Sequence, residues 1–129
     1  MNELEVQQKN LFDDLRHFDE NGNEYWLARE LQTALQYAKW ENFHKVIKTA
    51  QIACKISQQN VSDHFPEVRK MVTIGSGAQR KQVDYKLTRY ACYLIVMNGD
   101  PRKEVIAWGQ TYFAVKTRQQ ELAELYEQL

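Results

Sequence analysis

The stretch Val68–Leu87, "VRKMVTIGSGAQRKQVDYKL", has a period of two on either side of a glycine-bearing break, and that reading decides the fold. Val68, Lys70, Val72 and Ile74 share one face of a strand, and Val83, Tyr85 and Leu87 share one face of another, which predicts an antiparallel pair. Gly75 and Gly77 let the chain reverse, so "GSGAQR" is expected at the tip of a two-stranded ribbon. A phosphate-binding P-loop is excluded here. It needs four residues between its glycines, then Lys and Ser/Thr, then a helix; this stretch has one residue between glycines and a strand after them. A dinucleotide fingerprint also fails, for want of a third glycine and a βαβ setting.

Upstream of the ribbon, "NVSDHFPEV" has neither period and reads as a connection. Before it, Trp40, Phe43, Val46, Ile47, Ala50 and Cys54 recur at helical spacing and predict a helix from Trp40 to about Ile56. A shorter helix from Ala28 to about Gln36 precedes it, separated by the break "QYAKW". Two helices meeting at a corner resemble a helix-turn-helix, but that corner occurs in many unrelated domains and is weak evidence for DNA binding. In "HFDENGNEYWLA", Asn21, Gly22 and Asn23 predict a tight hairpin between short strands at Arg16–Asp19 and Glu24–Leu27. Leu4, Leu11, Phe12 and Leu15 predict an amphipathic helix from Asn2 to about Arg16.

Downstream, Thr88 can cap a helix to about Met97 that is apolar on nearly all sides and so belongs in the middle of the core. "NGDP" ends it and starts the next: Gly99 suits a left-handed exit, Asp100 the N-cap and Pro101 the first helical position. A long helix then runs through Val105, Ile106, Tyr112 and Phe113 to Leu122, Leu125 and Leu129. No stop signal follows, which suits a helix that a partner chain or a longer protein completes. Leu122, Leu125 and Leu129 lie on one side, where a homodimer could form.

A chain of 129 residues is one domain's length, and 43% hydrophobic with 26% charged residues is ordinary for a globular protein. The longest apolar run, Ala91–Met97, is too short to span a bilayer. The polar, acidic amino terminus lacks the features of a secretory signal, so no membrane association and a cytoplasmic location are expected. Cys54 and Cys92 are far apart in apolar helical patterns and read as reduced, buried thiols. His17, His44 and His64 have no ligand spacing, and no metal or cofactor is expected.

The zero net charge hides a segregation. Residues 1–35 hold three cations against eight acids, residues 36–103 twelve against five, and residues 104–129 two against four. The basic middle includes Lys39, Lys45 and Lys48 on the helix and Arg69, Lys70, Arg80, Lys81, Lys86 and Arg89 on and below the ribbon. A cationic, glycine-flexible ribbon can track phosphates or enter a groove. Solvated hairpin charge accounts for the same residues, and composition alone leaves both readings open.

Catalytic patterns are lacking: no Ser sits in a nucleophile elbow and neither Cys neighbours a His. Asp63 beside His64 could form an acid-base pair, though Ser62 and Asp63 are explained more simply as turn or cap formers. No catalytic residue is expected. Trp26 and Trp108 read as core, and so does Trp40, despite its cationic neighbours.

Three stretches, "ENGNEYWLARELQTALQYAKWENFHKVIKTA", "VSDHFPEVRKMVTIGSGAQR" and "DYKLTRYACYLIVMNGDPRKEVIAWGQTYFAVKTR", closely resemble the bacterial DNA damage-inducible protein D family. "EYWLARELQTALQY" and "YKLTRYACYLIVM" carry a weaker likeness to the Bro-N domain of viral BRO proteins and phage antirepressors. The resemblance implies a role in the SOS response, with single-stranded DNA and a RecA-type recombinase filament as partners. It also implies that the chain is the amino-terminal domain of a longer protein, and it favours the binding reading of the ribbon. It supplies no catalytic residues. The expectation is a single α+β domain, mainly helical, with two antiparallel hairpins packed on a helical core and a long carboxyl-terminal helix. It should bind nucleic acid or the filament without enzymatic activity; the alternative is an antirepressor-like protein-interaction module with no direct DNA contact.

Overall fold

A computed structural model of the chain describes residue 3 and residues 11–129. The elements run α1 (helical residues 11–15), β1 (His17–Phe18), β2 (Glu24–Leu27), α2 (Ala28–Ala34), α3 (Trp40–Ile56), α4 (Val61–His64), β3 (Glu67–Thr73), β4 (Gln79–Leu87), α5 (Arg89–Met97) and α6 (Glu104–Glu127). The expected first helix, from Asn2 to about Arg16, lies largely outside the described residues.

The first hairpin closes on Asp19. Its Oδ1 accepts from the backbone N–H of Asn21 and of Asn23, both at 2.9 Å, while Gly22 takes φ +80°. That positive φ is why a glycine is needed there. The second hairpin is the expected ribbon, paired from Glu67↔Tyr85 to Thr73↔Gln79. Its turn spans residues 74–78 around Gly77 (φ +84°), so Arg80 lies on β4 opposite Val72 and not in the tip.

The two hairpins form one sheet. β2 pairs β4 through Trp26↔Leu87 and Leu27↔Lys86, giving the order β1-β2-β4-β3, antiparallel throughout. Directly opposed residues in an antiparallel pair share a face. Val68 opposes Asp84 and Val72 opposes Arg80, so the β3 valines lie on the face away from Val83, Tyr85 and Leu87. The two apolar rows read from the ribbon therefore look to opposite sides.

The core forms where α5 and α3 meet the Trp26–Leu87 face. α5 buries Ala91, Cys92, Leu94, Ile95 and Val96, and α3 buries Phe43, Ile47, Ala50 and Cys54. Thr88 caps α5 as expected, its Oγ1 accepting from the Ala91 N–H at 3.2 Å. Trp26 is 1% exposed, and its indole N–H donates to the Phe12 carbonyl at 2.8 Å. Burying such a side chain contributes about 1.5–3 kcal/mol.

Four local expectations are corrected. The connection before β3 contains the short helix α4, capped by Asn60, whose side chain accepts from the Ser62 N–H. α6 starts at Glu104 with Lys103 as N-cap, and Asp100 instead accepts from the N–H and guanidinium of Arg102 in a separate turn. Gly99 does not take a positive φ; it is glycine because a Cβ would lie 2.9 Å from Ile106 Cδ1. Trp108, read as core, is 40% exposed, because it flanks rather than joins the side of α6 that buries Val105, Ile106 and Gly109. Trp40 does pack inward, stacked on His44.

Candidate nucleic-acid interface

Between Arg69 and Lys81 every residue except Val72 is exposed, so the outer half of the β3–β4 ribbon stands clear of the core as an arm. From Arg69 to Ile74 it reaches about 17 Å at strand rise. The register assigns its cations to faces. Arg69, Met71 and Lys81 share one, and Lys70, Val72 and Arg80 share the other. A strand of phosphates on either side of the arm would meet two cations.

Those faces differ in what already holds the cations. Arg69 NH2 lies 3.5 Å from Glu67 Oε1, a weak tether on an exposed pair. Arg80 lies close enough to Arg29 to disfavour that guanidinium's charge. Arg29 sits in the acidic first third of the chain, far from the ribbon in sequence, and only the fold brings it beside β4. Its Nε donates to the Val83 carbonyl at 2.9 Å, and its guanidinium lies 4.0 Å from the Trp40 ring centroid. Burial, more than any other influence, lowers its pKa.

Trp40 stacks on His44 with centroids 5.2 Å apart, and His44 Nε2 lies 2.9 Å from the Tyr85 hydroxyl. This stack ties α3 to β4 beneath the arm. Burial first, and Lys48 second, push the His44 pKa below its ordinary value. Lys48 lies one turn after His44 on the same side of α3. Lys45 and Lys39 are also exposed, Lys39 as the N-cap of α3.

Lys86 and Arg89 do not join the arm. They lie at the foot of the sheet, lining a cleft of about 610 Å³ with Tyr25, Asp63, His64 and Tyr90. Arg89 is held by a fork to Glu24, Nε to Oε2 at 2.9 Å and NH2 to Oε1 at 3.1 Å, and its guanidinium lies 5.2 Å from the Trp26 ring. The fork holds the Glu24 carboxyl below its ordinary range. Lys86 Nζ sits 5.0 Å from the Tyr25 ring. The nine predicted residues thus separate into an arm set, an α3 set and a foot set.

Other expectations concern chemistry. His64 Nδ1 bonds to Thr88 Oγ1 at 2.7 Å, at the cap of α5. Cys54 and Cys92 are free and buried, and burial pushes both thiols up, away from the reactive thiolate. Among the described residues, no group of three or more His, Cys, Asp or Glu could hold a metal ion, and no helix is long and apolar enough to cross a membrane.

The family model described as "BRO family, N-terminal domain" matches residues 14–114. Over 120 residues, 92% of the chain, the sequence is 49% identical to "DNA damage-inducible protein D" of Escherichia coli (strain K12). The chain spans 44% of that relative's length. No solved structure matches it.

Proposed function

The chain belongs to the BRO family N-terminal domain, and from that premise we propose that it is a non-catalytic binding module of the DNA-damage response. It engages single-stranded DNA, or a recombinase filament assembled on it, in the cytoplasm. The observation that carries this reading is the arm, an exposed ribbon with two cations on each face and Arg29 at its root. Lys39, Lys45 and Lys48 extend the contact along α3, while Lys86 and Arg89 frame the foot. The name of the similar bacterial protein supports the damage-response setting. The engagement of His44 with Tyr85 and of His64 with Thr88 supports a structural rather than catalytic use of both imidazoles.

Titrating labelled single-stranded DNA at two salt concentrations, with and without recombinase, tests this. Affinity for naked DNA should fall steeply as salt rises, because each phosphate contact releases counterions. The double variant Arg80→Ala/Lys81→Ala should weaken it further while the domain stays folded. If neither salt nor the double variant changes affinity, the arm does not bind nucleic acid.

A second reading, contact with protein alone, is favoured by Met71 and Ile74, which are 55% and 39% exposed on the same arm. It predicts no binding of naked DNA and capture of recombinase that survives nuclease treatment.

A further inference from the structure

We propose that α6 is half of an antiparallel, two-stranded helix pair, and that its partner is a second copy of this chain. The inward side of α6 carries Val105, Ile106, Gly109 and Phe113. Trp108 on the flank of α6, then Val115 and Leu122 on its far side, recur every seventh residue, and Leu129 just past the helix end keeps the spacing; all are exposed, from 36% at Val115 to 94% at Leu129. Leu125, 55% exposed, falls three residues after Leu122, at the second position of the same heptad. A seven-residue apolar repeat on an α-helix is the pattern of a seam between supercoiled helices; burial in a globular core would call for a period nearer 3.6. From Trp108 to Leu125, within the helix, the seam extends about 25 Å.

Charge decides both the occupant and its direction. Of the charges on the exposed length, Arg118 and Glu121 flank the stripe, while Lys116, Glu124 and Glu127 lie round the helix on the side of Phe113. A second copy running the opposite way sets Arg118 of each helix beside Glu121 of the other, and it opposes the two helix dipoles. A parallel copy would set Arg118 beside Arg118 in the seam. With the pair centred near residue 120, Val115 faces the second copy's Leu125, and Leu122 packs on the stem of its Arg118. Arg118 already bonds Glu121 of its own helix, NH1 to Oε2 at 3.2 Å, which leaves its methylenes free to cover a leucine. A pair would also present two cationic arms on one particle, so nucleic-acid affinity would rise with the fraction paired.

Light scattering on the purified chain across a concentration series tests the pairing. The expected mass is twice the 15.3 kDa of one chain, dropping to 15.3 kDa in Leu122→Glu/Leu125→Glu. Both positions are exposed, so circular dichroism should show that variant folded. Under oxidation, a mixture of Val115→Cys and Leu125→Cys chains should cross-link, whereas Val115→Cys alone should not; Cys54 and Cys92 are buried and will not compete. A wild-type mass of one chain at every concentration overturns the proposal, whatever else then covers the stripe. So does a dimer that survives Leu122→Glu/Leu125→Glu, or cross-linking by Val115→Cys alone. None of these outcomes depends on DNA binding, so the pairing and the function of the arm can fail separately.

Discussion

Asp84 on β4 caps a helix that it does not belong to: its Oδ1 accepts the backbone N–H of Arg29 in the first turn of α2, at 3.0 Å. Leu27, the N-cap residue of α2, offers no side-chain acceptor, and Asp84 fills that role from 55 residues away in sequence. The same oxygen accepts the Tyr85 N–H at 2.8 Å, and the carboxylate is 1% exposed. Asp84→Ala should cost about 1–2 kcal/mol, the scale of a lost N-cap, and should leave two buried donors without that partner. Asp84→Asn keeps an acceptor oxygen and should cost less. Urea denaturation followed by circular dichroism would rank the two, and equal losses would mean that the hydrogen bond is not what stabilises the site.

The two faces of the arm should not be equivalent. Arg69 is tethered by Glu67, whereas Lys70 and Arg80 share the face away from that tether, with Arg29 near Arg80. Lys70→Ala/Arg80→Ala should therefore weaken single-stranded DNA binding more than Arg69→Ala/Lys81→Ala. Loss of two phosphate contacts should flatten the log–log salt slope by about 1.4. Anisotropy titrations of both double variants at several salt concentrations would measure this.

Two separate pH windows should limit stability on the acid side. The Arg89 fork lowers the Glu24 pKa below 4.5, so this pair's contribution is complete above about that pH and is lost as pH falls through the folded-state value. Arg89→Ala should remove that acid limb. His44 behaves differently: burial lowers its pKa from 6.5, so the unfolded chain takes up the proton first and stability declines as pH drops below 6.5. His44→Gln should remove the second decline and leave the first. Thermal melts between pH 3 and pH 8, a span of about that width around both ordinary values, would separate them.

Gly99→Ala should destabilise by about 1 kcal/mol or somewhat more, since the added methyl would meet Ile106 Cδ1 at 2.9 Å and Ile106 Cγ2 at 3.1 Å. Ile106 is fully buried and has little room to yield. In an Ile106→Val background, which removes Cδ1, the same substitution should cost less. A double-mutant cycle showing simple additivity would count against the contact.

Local signals were readable in the sequence. Thr88 before an apolar run, Asn-Gly between alternating segments, and the period of two around Gly75 and Gly77 all marked the elements they form. Interactions between distant segments left no such trace. Nothing near Trp26 reveals that it pairs with Leu87, which joins the two hairpins into one sheet. The trans cap of Asp84 and the arrival of Arg29 beside Arg80 follow from that joining and were equally hidden. Apolarity alone does not fix burial: Trp108 is 40% exposed on the flank of α6, while Val105 and Ile106 beside it are buried. Alternation marked both strands of the arm but put Arg80 in the tip, and the division of the cations between faces required the register, which alternation along single strands does not supply.

β3 is the outermost strand of the sheet, and beyond it the backbone groups of Arg69–Thr73 have no neighbouring strand among the described residues. Such a rim invites a further strand from another molecule, and charged side chains along it keep copies apart. Arg69 and Lys70 therefore serve as guards against aggregation as well as candidate grips on phosphate. Replacing both should lower solubility even in the absence of nucleic acid, an effect that loss of phosphate contacts alone would not produce.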